Sequence, residues 1–177
     1  MRRNLRRDTP GSPEHPEDAG LTTVRLATGA EVPTLVALMR EFYAESALAL
    51  DADWAARAFA GLLADPTRGA AWVLMVDGQP VGHVVLTVRF AMEFGGLIGY
   101  IDDLFVRPPF RRRGAARAGL AALTEEASRR GCQSLHVEVA PDNVPARALY
   151  AAFGLRPGAD RRLELKVRLP IQPPSQG

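Results

Sequence analysis

The stretch YIDDLFVRPPFRRRGAARAGLAAL, from Tyr100 to Leu123, joins three segments whose order decides the fold. It opens as an apolar strand, passes Pro108-Pro109 and the turn Arg111-Arg112-Arg113-Gly114, and continues as an alanine-rich helix. A strand, a tight turn and a helix start leave free backbone N–H groups at the turn, an arrangement suited to an anion. Arg107, Arg111, Arg112, Arg113 and Arg117 gather there, and no acid stands between Pro108 and Ala122. Gly114 and the small Ala115 and Ala116 leave backbone that a ligand can approach. Two other phosphate loops are excluded. Gly114 and Gly119 have the glycine spacing of a Walker A motif, but Leu120-Ala121 stands where Lys-Ser/Thr is required. A dinucleotide-type GxGxxG is absent.

Elements on either side fall into place around this corner. Leu21 to Thr28 alternates like a strand, and Thr28 with Glu31 has capping-box spacing for a helix over 30–46. That helix carries the stripe Leu35, Leu38, Met39, Phe42 and Tyr43. A second amphipathic segment, about Asp53 to Ala64, carries Trp54, Phe59, Leu62 and Leu63. Ala71 to Val76 and Val81 to Phe90 are strands joined at Asp77-Gly78, a hairpin signal. Gly95-Gly96 leads to the strand Leu97 to Val106. Gly131 ends the central helix. Ser134 to Ala140 is a further strand, Pro141-Asp142-Asn143 opens a short helix ending near Phe153-Gly154, and Arg161 to Leu169 alternates as a last strand. The order β α α β β β α β α β predicts one α+β domain over 21–170. Its parallel βαβ crossover sits in an otherwise antiparallel sheet.

The 177 residues are about one domain's length, with 47% hydrophobic and 24% charged residues. A net charge of +2 gives no bulk argument for a nucleic-acid partner. No apolar run reaches the length of a membrane span. The single Cys132 cannot form an internal disulfide, which fits a reducing, cytoplasmic compartment. Residues 1–20 hold too little apolar surface to order themselves and read as a disordered tail, and 171–177 as a flexible end. No cluster has metal-ligand spacing.

The element order and the segment from Tyr100 to Leu155 resemble the GNAT superfamily of acetyl-CoA-dependent N-acetyltransferases. Arg111-Arg112-Arg113-Gly114-Ala115-Ala116 satisfies the superfamily's Arg/Gln-x-x-Gly-x-Gly/Ala loop. Asn143 and Tyr150 in PDNVPARALYAAFGL match its downstream Asn and Tyr. IDDLFV and SLHVEVA are similar to the polyamine (spermidine/spermine) acetyltransferase branch. The resemblance implies acetyl-CoA as co-substrate, no metal, and coenzyme A contacts along Phe105, Val106, Arg111, Arg112, Arg113, Gly114, Ala115, Ala116 and Asn143. It implies Asp102 as base and Tyr150 as acid, with Asp103, His136 and Glu138 on the acceptor side. Members of the superfamily often dimerise, so it leaves a homodimer open.

The residue chemistry agrees. An alkylamine of pKa near ~10.4 must shed a proton before attacking a thioester, a deficit of roughly 4–5 kcal/mol at pH 7. A carboxylate base or a water-linked path reduces it. Departing thiolate, of pKa near ~8.5, can accept a hydrogen bond or proton from a phenol. In a regular strand Asp102 and Asp103 face opposite sides, so only one enters a given cleft. Bland readings stand beside these. One aspartate caps backbone and the other is solvated, Tyr150 belongs to the stripe Ala146, Leu149, Tyr150 and Phe153, Asn143 is an ordinary N-cap, and His83 is structural. The expected activity is acetyl transfer to a primary amine of a small cationic metabolite. Protein or peptide acetylation and a non-catalytic acyl-CoA-binding domain are the alternatives.

Overall fold

A computed structural model describes residues 20–158. The expected N-terminal tail, the strand over 161–169 and the C-terminal end lie outside the described residues. Five strands form one sheet in the order β1-β2-β3-β4-β5. They are β1 (Thr22–Leu26), β2 (Gly69–Val76), β3 (Gln79–Ala91), β4 (Gly96–Val106) and β5 (Ser134–Val137). The first four pair antiparallel, and β4 pairs parallel with β5 across the central helix. The mixed α+β fold expected from the order of elements is thus present.

Helix α1 (Val32–Glu45) follows a 3-10 turn whose capping box is Thr28 with Glu31, as its spacing predicts. Helix α2 (Ala52–Ala64) is capped by Asp51, which accepts from the backbone of Asp53 and Trp54. The β2–β3 hairpin turns on Asp77 and Gly78, both with positive φ, the backbone a two-residue hairpin demands. Helices α3 (Ala115–Arg129) and α4 (Val144–Ala152) complete the described chain.

The sheet separates two apolar layers. On one face Leu35, Leu38, Met39 and Phe59 of α1 and α2 bury against Ala71, Val73, Val85 and Phe105. On the other, Leu120 and Leu123 of α3 bury against Leu74, Val84, Leu86 and Ile101, and α4 adds Tyr150. A Cβ on Gly119 would come within 2.6 Å of Leu74 Cδ2, so this glycine lets α3 lie close on the sheet.

Two irregularities interrupt the sheet around Asp102. Val85 pairs with Asp103 but its neighbour Leu86 pairs with Ile101, leaving Asp102 as the extra residue of a β-bulge. Expected alternation therefore fails at this point. Ile101, Leu104 and Val106 all reach the α3 layer, and Phe105 reaches the α1–α2 layer. The second irregularity is a split. β5 ends at Val137, paired with Ile101, and not at Ala140 as its alternating sequence suggests. The bulge turns β4 just where its parallel partner stops, so β4 runs on to Val106 without β5 beside it.

Candidate active site

The arginine corner begins at Gly114, whose φ of 87° is left-handed and favours glycine. No side chain among the described residues caps α3, which leaves the N–H groups of its first turn without a partner there. Arg112 is also left-handed, with φ 62°. Thr22 Oγ1 donates to the Arg113 carbonyl at 3.3 Å and Arg111 Nε to the Val106 carbonyl at 2.7 Å, tying the turn to β1 and β4.

The cationic patch is partly neutralised from a distance. Arg107 donates through Nε and Nη2 to Glu41 at 2.7 and 2.6 Å, and Arg111 Nη2 reaches both oxygens of Glu45 at 2.6 Å. The Arg107 hydrogen bond holds the Glu41 carboxyl below its usual range. Both acids stand on α1, 66 residues away, where the local charge pattern of the corner could not reveal them. Arg113 lies over the Phe110 ring and Arg117 over Phe153, with both guanidinium groups exposed beside the free helix start.

A groove of about 660 Å³ runs from this corner between Leu104, Phe105 and Val106 of the unpaired half of β4 and α4. Gly114, Ala115, Ala116, Arg111 and Arg112 form one end, and Tyr150 and Asn143 line the α4 side. Asn143 is the N-cap of α4, its Oδ1 accepting from Ala146 at 3.2 Å, a role that leaves its N–H donors unspent. Tyr150 is only 8% exposed and belongs to the core on one side while walling the groove on the other, so its two readings coexist. Burial, then the charge of Asp103, raises its phenol above the ordinary value.

A second cavity of about 410 Å³ opens on the α1–α2 side of β4 and contains both Asp102 and Asp103. The bulge puts the two carboxylates on one face, correcting the expectation that only one enters the cleft. Tyr43, Trp54, Phe59 and Thr87 line the rest. Asp102 is reached by water at the mouth yet ringed by protein, and this desolvation, then Asp103 and Glu138, pushes its carboxyl above the usual aspartate value. Tyr43 is raised for the same first reason, then by Asp103 and Asp102. Trp54, placed on the apolar stripe of α2 by its helix period, is 43% exposed. An aromatic at a cavity rim is a feature that the period alone does not carry.

His136 pairs in register with Tyr100, which itself pairs with Thr87, so it sits one strand beyond this cavity. Its ring stacks on Tyr100 at 5.4 Å, and its Nε2 shares a 2.8 Å hydrogen bond with Ser134 Oγ. Glu138 lies in the chain just past the end of β5, close enough for its charge to act on Asp102. His83 is completely buried on β3. Among the described residues no three acids, histidines or cysteines gather as a metal site, and no helix is long and apolar enough to cross a membrane.

The acid cavity and the cationic groove thus meet on consecutive residues of β4. Residues 34–155 match the Acetyltransferase (GNAT) family. The chain belongs to this family. GNAT relatives include aminoglycoside N(6')-acetyltransferase type 1 of Salmonella typhimurium, 26% identical over 48% of this chain and 61% of that protein. The chain therefore spans about three fifths of the length of that relative. The enzyme of the same name from Stenotrophomonas maltophilia is 26% identical over 88% of this chain and 97% of its own. Among solved structures, an integron cassette protein from a salt-marsh metagenome superposes with a TM-score of 0.75 at 38% identity, covering 84% of this chain and 92% of its own. AAC(6')-Iy in complex with a bisubstrate analogue of coenzyme A and acetylneamine superposes with a TM-score of 0.72 over 84% of this chain and 99% of its own. At 19% identity that likeness concerns the GNAT fold alone.

Proposed function

We propose that this chain transfers acetyl from acetyl-CoA to a primary amine of a small polycationic acceptor, by direct attack within a ternary complex. The observation that carries the reading is the meeting of the two cavities on β4. Residues 104–106 line the cationic groove, and the adjacent Asp102 and Asp103 line the acid cavity. The pyrophosphate of coenzyme A binds the free N–H groups of Gly114, Ala115 and Ala116, with Arg112 and Arg113 on its oxygens. Arg111 joins them only by loosening its hold on Glu45. The acetyl-bearing arm follows Phe105 and Val106 through the gap left by β5, past Asn143.

On the acceptor side the paired aspartates and Glu138 attract a polycation, and Tyr43 and Trp54 offer aromatic faces to it. Asp102 accepts the ammonium proton, directly or through one water. The freed nitrogen attacks the thioester carbonyl, its C–S bond breaks, Tyr150 donates to the departing sulfur, and the second proton that the nitrogen sheds on becoming an amide restores the phenol through water. His136 and Tyr100 extend the acceptor wall for a long substrate. Polyamines and aminoglycosides both meet this description, and the names of the curated relatives favour aminoglycosides.

The test is release of free coenzyme A from acetyl-CoA across a panel holding spermidine, spermine, kanamycin, neamine, lysine peptides and neutral amines. Polycations are expected to support the fastest release. Thermal stabilisation by coenzyme A without thiol release for any amine would replace this reading with a non-catalytic acyl-CoA-binding domain.

A further inference from the structure

His83 is completely buried, and neither ring nitrogen has a hydrogen-bond partner among the described residues. It sits between aromatic edges, with Phe42, Phe59 and Phe105 ring centroids 6.3, 6.4 and 6.0 Å away. β2 places Val73 opposite it. From β4 the titratable group beside the ring is Asp103, which with Asp102 and Tyr43 lines the neighbouring acid cavity, while α2 presents Phe59. An apolar residue would fill such a place without leaving polar atoms unpaired, and unpaired buried nitrogens are costly. One charged oxygen lies close enough to relieve that cost. Asp103 Oδ2 stands 3.7 Å from His83 Nε2, just beyond hydrogen-bond length.

We propose that His83 is a positioning residue for Asp103. Its Nε2–H points at Oδ2 and closes to a hydrogen bond when an acceptor cation fills the cavity, committing that oxygen to the wall. The other Asp103 oxygen is then presented to the substrate in one direction. Asp103 has little freedom otherwise, because it pairs with Val85 across the bulge and its side chain is 13% exposed. The arrangement divides the work of two neighbouring carboxylates: Asp103 is fixed from behind and holds the cation, and Asp102, at the mouth, takes the proton. This inference rests on the acceptor role proposed above for the acid cavity.

Two measurements test it. Long-range proton–nitrogen spectra of the histidine rings in the wild-type protein should show a proton on His83 Nε2 whose resonance moves in Asp103→Asn. An Nε2 without a proton overturns the proposal, and no His83 variant is needed to see it. In acetyl transfer with kanamycin or spermidine, His83→Phe should lower kcat/KM for the amine about tenfold and leave KM for acetyl-CoA unchanged. His83→Gln, which keeps an N–H donor at similar reach, should recover most of that loss. Equal activities in the two variants, whether at the wild-type level or equally reduced, sink the positioning role alone. Wild-type rates in both Asp102→Asn and Asp103→Asn would instead sink the acceptor reading on which it rests.

Discussion

Asp102 sits where its charge is unwelcome to the fold, although the proposed mechanism needs that charge. Desolvation and two neighbouring acids raise its carboxyl, so at pH values between its unfolded and folded midpoints the folded chain binds a proton that the unfolded chain has released. The stability supplied by the protonated form is complete at low pH and is lost as pH rises through the raised folded value. Asp102→Asn should therefore raise the melting temperature by ~1–3 °C at pH 7.5, with the two proteins converging near pH 3. A gap that does not change with pH would show that its carboxyl is not perturbed. The same variant should lose about 10²-fold in kcat. In the wild type, the acid limb of the rate profile should lie above the ordinary aspartate range. Tyr150→Phe is expected to slow transfer by roughly 10–10²-fold while leaving coenzyme A affinity within a factor of about three, as a general acid should. The pair Asp102 and Asp103 was legible in the sequence as acids in an apolar strand. Their common orientation was not, because it depends on a register shift against β3 that no local period records.

At the level of elements, the bulge makes β4 tolerant of one deletion and intolerant of others. Removing Asp102 restores plain alternation and leaves Ile101, Leu104 and Phe105 facing their own layers. Removing Leu104 instead closes the bulge with Asp103 in the place of Leu104, which puts a carboxylate into the α3 layer. The first deletion should unfold cooperatively in urea and still bind coenzyme A without transferring acetyl, and the second should be insoluble. If both variants fold equally well, the bulge does not set the facing of β4. The ion pairs of α1 make a weaker claim. Glu45→Gln frees Arg111 and should cost less than about 1 kcal/mol in urea denaturation, since exposed pairs contribute little. Strand and helix limits were legible from alternation, caps and glycine turns. β5 is the exception: Glu138, Val139 and Ala140 continue the strand pattern, but the bend of the neighbouring strand removes their partner. Glu41 and Glu45 were invisible for another reason, since ion pairs across 66 residues leave no trace in spacing.

For the molecule as a whole, the groove proposed for coenzyme A draws its walls from β4, the arginine turn and α4, so a ligand held there would tie these parts together. A ligand at 100 times its dissociation constant adds about 2.7 kcal/mol, so a melting-temperature rise of roughly 5–10 °C is expected. Raising the salt concentration should weaken that stabilisation, because arginine–phosphate attraction is screened. The corner that decides the fold in sequence is thus the one whose occupancy should report on the whole. The split between β4 and β5 has a consequence of its own. A strand inside a sheet normally hides its hydrogen-bonding edge, but between residues 102 and 106 that edge has no strand beside it among the described residues. Open edges invite pairing with other chains. Empty protein should accordingly precipitate sooner on warming than protein kept with coenzyme A, and the amides facing the gap should trade hydrogen for deuterium quickly until the ligand seals it.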